Sequence, residues 1–104
     1  MEFFDQGEIS RLASLMKAVG HPLRVQIVGI LAQERLVSIP TLQNHLPSID
    51  QFVLYSNLSF LHEKKILKKH RKGREIYYSL TDNMINDGIA LFSLSKLVKP
   101  TIHS

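Results

Sequence analysis

The chain has 104 residues, 44% of them hydrophobic, and its thirteen lysines and arginines exceed its nine acidic residues to give a net charge of +4. This length suits a single domain, residues 1–104, and is too short for two hydrophobic cores. The absence of cysteine excludes disulfides, thiolate metal sites and thiol nucleophiles. Because no run of roughly 18 to 20 apolar residues occurs and the start "MEFFDQGE" is acidic, we expect a soluble, cytoplasmic protein without membrane contact.

Two amphipathic helices are predicted in the first third of the chain. In "EISRLASLMKAVG", apolar residues recur at helical spacing, and Gly20 is placed to end the helix. The second helix, in "HPLRVQIVGILAQ", begins at Pro22, since proline suits the first helical position. The residues expected to share the apolar faces are Leu12, Leu15, Met16, Val19, Leu23, Ile27, Ile30 and Leu31.

A short third helix and a longer fourth helix follow. Ser38 is predicted to cap the third helix and Pro47 to stop it. The fourth helix, in "QFVLYSNLSFLHEKK", has an inward stripe of Leu54, Leu58 and Leu61. Its other face has few charges and two aromatic rings, which is unusual for a face that meets only water. That face carries Gln51, Phe52, Tyr55, Ser56 and Ser59.

The start of the fourth helix has two alternative caps. Ser48 and Gln51 fit the S-x-x-Q capping box, which would engage the Gln51 side chain with the backbone. Asp50 is the competing cap and would leave Gln51 free to bond an adenine edge. Phe52 and Tyr55 also have two interpretations, since they either contact a DNA groove or bury against a neighbouring element.

A basic β-hairpin is predicted in "ILKKHRKGREIYYSL", which alternates with period two on either side of Lys72 and Gly73. Ile76, Tyr78 and Leu80 share one face, and Glu75, Tyr77 and Ser79 share the other. The two tyrosines and Ile76 are expected to hold the hairpin on the core. Seven of the thirteen basic residues lie between residues 64 and 74 with no acid among them, whereas the rest of the chain sums to −3. This charge favours contact with a polyanion, although a solvated lysine-rich edge strand is the alternative.

A last helix is predicted in "TDNMINDGIALFSLSKLVK", capped by Thr81 or Asp82. Its apolar residues wrap around more than one stripe, so two different surfaces must cover it. The order of elements, with the hairpin after the fourth helix, predicts a mainly α fold with a small β-hairpin (α+β), a winged helix-turn-helix. In such a unit the helix after the turn enters the major groove of DNA, and the hairpin, or wing, reaches the neighbouring backbone.

The quoted segments "VGHPLRVQIVGIL" and "LSFLHEKKILKKHRKGREIYYSL" resemble the ArsR family of small bacterial winged-helix repressors, across residues 10–95. The resemblance implies a homodimer, joined through the first and last helices, that binds a palindromic operator and is released by an inducer. The sequence does not identify that inducer. The residues predicted at the dimer interface are Leu12, Leu15, Met16, Ile85, Ile89 and Phe92.

The chain departs from this family at three places. The family's recognition helix is usually rich in Ser, Thr and His, whereas Phe52, Val53 and Tyr55 lie near the start here, with Asn57 where His is frequent. The Cys-x-Cys metal sensor of many members corresponds to Ser38 and Pro40. The final helix also lacks the histidines that bind zinc-like ions in other members, so we predict no metal site and no cofactor.

The five histidines have no ligand spacing; His21 is predicted to start a helix, and His70 to touch phosphate. Arg24 is predicted either to contact phosphate or to form a structural ion pair. No phosphate loop, dinucleotide fingerprint or nucleophile–base pairing points to an enzyme.

The predicted function is DNA binding by a transcriptional regulator. The residues predicted to contact double-stranded DNA are Thr41, Ser48, Gln51, Phe52, Tyr55, Ser56, Lys69, Arg71, Lys72 and Arg74. The alternative is a winged-helix module for protein–protein contact, in which Phe52, Tyr55 and Phe60 form an apolar docking surface.

Overall fold

A computed structural model describes residues 5–85 of the chain. The elements are α1 (Gln6–Val19), α2 (Pro22–Glu34), β1 (Val37–Ser38), α3 (Ile39–His45), α4 (Gln51–Glu63), β2 (Leu67–Lys72) and β3 (Glu75–Leu80). The chain is helical again over residues 82–85. This order confirms the predicted winged helix-turn-helix; the predictions for Ile89 and Phe92 lie outside the described residues.

Side-chain caps begin three of the helices. The Asp5 carboxylate accepts the Glu8 N–H at 2.7 Å, and the Ser38 hydroxyl accepts the Thr41 N–H at 3.3 Å, as predicted for Ser38. Asp50 accepts from the N–H groups of Phe52 and Val53 at 2.9 and 3.3 Å. Asp50 is therefore the cap of α4, and the capping box formed by Ser48 and Gln51 is not used.

The junction of α1 and α2 is tight. Pro22 occupies the start of α2 as predicted, and His21 precedes it without a capping side-chain bond. Gly20 ends α1, and a Cβ added there would lie 2.7 Å from the carbonyl oxygen of Met16. Because that distance is shorter than Cβ atoms show to a backbone oxygen, a side chain at position 20 would force the end of α1 to shift.

The core forms where α2 and α4 pack against the sheet. The three predicted inward leucines of α4 are each 0 or 1% exposed, and α2 contributes three buried residues at helical spacing. The main buried hydrophobic residues are Leu23, Ile27, Leu31, Val37, Leu42, Leu54, Leu58, Leu61, Ile66, Leu67 and Tyr78. The predicted apolar faces of the second and fourth helices are thus confirmed.

The turn between α3 and α4 is held by one side chain. The Gln43 amide donates to the carbonyl oxygens of Leu46 and Ile49 at 3.1 and 2.8 Å. The Leu46 carbonyl oxygen also accepts the Ile49 N–H at 3.1 Å, so the amide reinforces this backbone turn and provides a donor for the Ile49 carbonyl oxygen. The turn therefore sets α4 at a defined angle to α3.

The sheet has three antiparallel strands in the order β1-β3-β2. The strand β1 was not predicted, because two residues are too few to show a periodic pattern. In the hairpin Lys72 pairs with Glu75, so the turn is Gly73 and Arg74, one residue later than predicted. Gly73 has a φ of 62°, and glycine in the first position of a two-residue loop is typical of a type II′ turn.

Hydrogen bonds of Thr81 connect the end of α4 to the start of the last helix. Lys65 follows the helix with a φ of 62°, in the left-handed region that favours glycine. The Thr81 hydroxyl donates to the Lys65 carbonyl oxygen at 2.9 Å and accepts the Met84 N–H at 3.1 Å. Of the two predicted caps of the last helix, Thr81 is therefore the one used.

Candidate nucleic-acid interface

The outward face of α4 is exposed as predicted. Gln51, Phe52, Tyr55 and Ser56 all lie on the surface, with Phe52 80% and Tyr55 41% exposed. No element of the described chain therefore buries the Phe52 ring, and the interpretation that Phe52 packs against a neighbouring element is wrong for this chain taken singly.

The cap at Asp50 decides what Gln51 can do. The Gln51 side chain is not held by the backbone, and its amide nitrogen donates instead to the hydroxyl of Tyr55 at 3.1 Å. Because the two residues are four apart on a helix, their side chains lie on one face. The Gln51 carbonyl oxygen and its second N–H remain available to a base edge.

The wing approaches the start of α4. A groove of about 710 Å³ separates them, and it is lined by Ile39, Pro40, Gln43, Pro47, Gln51, Tyr55, Arg74, Glu75 and Ile76. Arg74, in the wing turn, thus borders the same groove as Gln51 and Tyr55. The structure brings together a helix face able to bond bases and a cation at the tip of the wing.

The predicted cations of the wing are exposed on both faces of the hairpin. Lys69 and Arg71 lie opposite Tyr78 and Ile76 and share their face, whereas Lys72 lies opposite Glu75 on the other face. The Lys72 ammonium is 5.6 Å from the centre of the Tyr77 ring. Within residues 5–85, no carboxylate forms a salt bridge with Lys69, Arg71, Lys72 or Arg74. All four charges are therefore available to phosphates.

Tyr78 joins the wing to the body of the protein. It is 5% exposed and pairs with Val37 of β1. Burial raises the pKa of the Tyr78 hydroxyl above its usual value, and the neighbouring Tyr55 raises it further. Tyr55 and Ile76, which shares the strand face of Tyr78, border the same groove, so the outward face of α4 lies near this face of the wing.

Thr41 and Ser48 differ in their surroundings from the other predicted contacts. Thr41 is half-buried in the first turn of α3, and its hydroxyl accepts from the Ser38 hydroxyl at 3.0 Å. Ser48 is exposed in the turn before α4 and does not cap the helix, although it was one of the two predicted caps. The structure therefore places Thr41 in a local network and leaves Ser48 open to solvent.

The histidines do not assemble a metal site among the described residues, where no group of three potential ligands is found. His70 is half-buried, and its Nε2 atom lies 2.8 Å from the Ser79 hydroxyl. The Nε2 atom of His45, the last residue of α3, lies 3.4 Å from the carboxylate of Glu34, the last residue of α2. The predicted phosphate contact of His70 would have to compete with Ser79.

Arg24 has a role that sequence reasoning missed. Its Nε donates to the Asn57 side-chain oxygen at 2.8 Å, and its Nη1 donates to the Ala18 carbonyl oxygen at 3.2 Å. Its guanidinium carbon lies 3.8 Å from the centre of the Phe60 ring. These partners are neutral, so the predicted ion pair is wrong, and the phosphate contact would require the side chain to leave them. Phe60, half-buried under Arg24, contributes little to the proposed apolar docking surface.

The predicted dimer residues divide into two groups. Met16 and Ile85 are 53% and 51% exposed, and Leu15 is half-buried. Leu12 is only 1% exposed in the single chain, which leaves little of its side chain for a partner.

Among the described residues, no helix has both the length and the apolarity needed to cross a bilayer.

A known repressor resembles this chain along most of its length. Over 81 residues the chain is 30% identical to the transcriptional repressor PagR of Bacillus anthracis, a match that spans 78% of this chain and 80% of PagR. PagR is an ArsR-family winged-helix protein. The chain belongs to the ArsR family of transcriptional regulators. The resemblance drawn from the sequence is thereby confirmed, although no family model matches the chain.

Solved structures of ArsR-family proteins share this fold. The structure of PagR superposes with a TM-score of 0.69 at 27% identity, covering 85% of this chain and 98% of that one. The repressor BigR from Xylella fastidiosa gives a TM-score of 0.73 at 24% identity, with 92% and 94% covered. HlyU from Vibrio cholerae gives 0.70 at 23% identity, with 90% and 97% covered. BigR and HlyU, at these identities, support the fold alone.

Proposed function

We propose that this ArsR-family chain is a cytoplasmic repressor that binds a palindromic DNA operator as a homodimer. The observation that carries the proposal is the groove bordered by Gln51 and Tyr55 of α4 and by Arg74 of the wing. Base-specific groups and a phosphate-seeking cation on one surface are what a duplex requires.

In this proposal α4 is the recognition helix. Its exposed start lacks charge but offers an amide, two aromatic rings and a hydroxyl, which suit base edges and thymine methyl groups in a major groove about 12 Å wide. Gln51, Phe52, Tyr55 and Ser56 make the base contacts, and Ser48 and Thr41 lie at the flank, where phosphates pass.

The wing supplies the electrostatic part of the affinity. Lys69, Arg71, Lys72 and Arg74 have no carboxylate partner among the described residues, so their approach to phosphate breaks no existing ion pair. Each phosphate that they neutralise releases counterions and adds affinity for any DNA sequence.

The dimer places two recognition helices on two half-sites. Leu15, Met16 and Ile85 present apolar surface at the first and last helices, and Ile89 and Phe92 are predicted to extend it, with Leu12 behind. An apolar surface of this kind is stabilised when a second copy covers it.

One observation favours a protein–protein module as a second candidate. The Phe52 ring is 80% exposed, and an exposed aromatic ring is a frequent anchor of protein interfaces. The partial burial of Phe60 beneath Arg24 reduces the apolar surface available to such a partner.

The chain's relatives are transcriptional regulators, which agrees with a role outside catalysis.

The test is selection of bound fragments from the source genome, followed by titration of the selected duplex against a shuffled one at several salt concentrations. We expect a recurring palindrome and an affinity that falls steeply as salt rises. Failure to enrich any fragment, together with salt-insensitive capture of one partner protein, would show that the second candidate is correct.

A further inference from the structure

The Arg24 side chain connects three helices through neutral groups. From the start of α2 it reaches the Ala18 carbonyl oxygen in the last turn of α1, at 3.2 Å, and the Asn57 side chain in the middle of α4, at 2.8 Å. Its guanidinium also stacks on Phe60 of α4 at 3.8 Å. One planar group therefore ties the end of α1 to the recognition helix.

The chemistry of these contacts requires arginine. A guanidinium carries N–H donors in a fixed fork and a flat face, so it can bond two acceptors while it stacks on a ring. A lysine ammonium is a single point on a flexible stem and cannot meet all three groups in this geometry.

Asn57 links Arg24 to the first turn of α4, which carries the proposed base contacts. It is 8% exposed; its oxygen accepts from Arg24, and its amide nitrogen donates to the Val53 carbonyl oxygen at 2.8 Å. Val53 lies in the first turn of the helix, between Phe52 and Tyr55. Both ends of the Asn57 amide are thus occupied by the protein, which leaves Asn57 unable to contact a base.

Ala18 lies on the helix that bears the proposed dimer surface. The last carbonyl groups of a helix have no partner within it, so the Ala18 oxygen is available to Arg24. The same helix carries Leu15 and Met16. Arg24 therefore links the helix of the proposed dimer surface directly to α4.

We infer that Arg24 is a positioning residue that sets the recognition helix relative to α1, and so sets the distance between the two recognition helices of the dimer. The inference rests on the proposed function. Dimeric helix-turn-helix proteins meet half-sites about 10 to 10.5 base pairs apart, so a change in the angle of α4 alters the spacing that fits. Arg24 acts on operator choice without touching DNA.

The experiment compares Arg24→Lys with Arg35→Lys, a matched change at the exposed end of the same helix. Affinities are measured for the selected operator, for operators lengthened or shortened by one base pair between half-sites, and for random DNA at several salt concentrations. Arg24→Lys should lower the preference for the native spacing by roughly tenfold or more, the loss expected when hydrogen bonds of a charged group are broken. Arg35→Lys should leave it unchanged.

The remaining measurements separate positioning from other roles. Sedimentation should still show a dimer, and the salt slope should stay that of the unaltered protein. A lower melting temperature with an unchanged spacing preference would mean that Arg24 only stabilises the fold, and a reduced salt slope would mean that it contacts phosphate; either result overturns the inference. If the unaltered chain binds no operator, the proposed function has failed instead.

A second pair of variants covers the case in which Arg24→Lys does not fold. Asn57→Leu removes the acceptor for Arg24 at similar volume, whereas Asn57→Asp keeps an oxygen there. The leucine variant should lose the spacing preference and the aspartate variant should retain more of it. Equal preferences in the two variants would contradict the connection.

Discussion

The amide nitrogen of Gln51 donates a hydrogen bond to the hydroxyl oxygen of Tyr55 across 3.1 Å on the exposed face of α4. The bond orients the amide and leaves its oxygen and second N–H directed away from the tyrosine. An adenine offers one acceptor and one donor in the major groove, which such an amide can meet together. Tyr55 therefore orients Gln51, in addition to the base contact proposed for Tyr55 itself.

Changing Tyr55 to Ala should reduce the preference for operator over random DNA by roughly 1 to 3 kcal/mol per half-site, because base contacts are lost while phosphate contacts remain. The salt slope should stay nearly constant. Fluorescence anisotropy with two duplexes measures both quantities. Tyr55→Phe, which removes the hydroxyl alone, should show part of this loss, and Gln26→Ala on α2 should show none.

Removing positive charge from the wing should instead lower the salt dependence of binding and leave the preference for operator over random DNA nearly unchanged. Replacing Arg71, Lys72 or Arg74 by Gln should reduce the log–log salt slope by about 0.9 per lost contact, doubled in a symmetric dimer, and should weaken operator and random DNA alike. Arg35→Gln, at the end of α2, serves as the matched loss of charge. An unchanged slope in all three wing variants would identify the basic run as a solvated edge.

The dimer prediction can be tested with a charge placed on the apolar surface. Met16→Glu or Ile85→Glu should produce monomers by sedimentation at micromolar concentration, since a buried unpaired carboxylate destabilises an interface. Phe52→Glu changes an even more exposed apolar residue, on α4, and should remain dimeric. A monomeric unaltered protein would contradict the interface.

Zinc, cadmium and arsenite should not release the protein from DNA at stoichiometric concentrations. This chain has no cysteine to supply thiolates, and the segment of its last predicted helix, residues 81–99, has no histidine to supply imidazole ligands. The measurement is an anisotropy titration of the protein–operator complex with each ion. Release by one equivalent of any of them would reveal a site built from other ligands.

Lys65→Gly should raise the free energy of unfolding by about 1 kcal/mol, because glycine adopts the left-handed conformation without the clash of a Cβ. Lys64, one residue earlier, has a φ of −81° and gains nothing from glycine. Lys64→Gly should therefore lower the free energy of unfolding. Urea denaturation of the two variants gives the comparison, and a destabilised Lys65→Gly would refute the argument from strain.

Much of the fold could be predicted because each helix carries its own local signals. The leucines of α4 recur at helical spacing, Gly20 and Pro22 mark a helix end and a helix start, and Gly73 marks the hairpin. These features act within a few residues of one another, so the sequence displays them directly. The two residues of β1 became a strand only because β3 lies beside them.

The contacts that join distant segments could not be predicted. Nothing near Arg24 in sequence indicates that Asn57, 33 residues later, will accept its hydrogen bond. The choice between Ser48 and Asp50 as cap also depended on the path of the turn, which Gln43 holds through two carbonyl groups. An arginine without nearby carboxylates in sequence is a weak signal of a structural role.

Ser38 belongs to two elements at once. In β1 it pairs with Tyr77 of the wing, and its hydroxyl caps α3 through the Thr41 N–H. No flexible linker therefore separates the wing from the helix-turn-helix. The spacing between the wing and α4 is consequently fixed by the fold. The major groove of B-form DNA admits a helix, whereas that of an A-form RNA–DNA hybrid is deep and narrow, so we expect such a hybrid to meet the wing and to exclude α4.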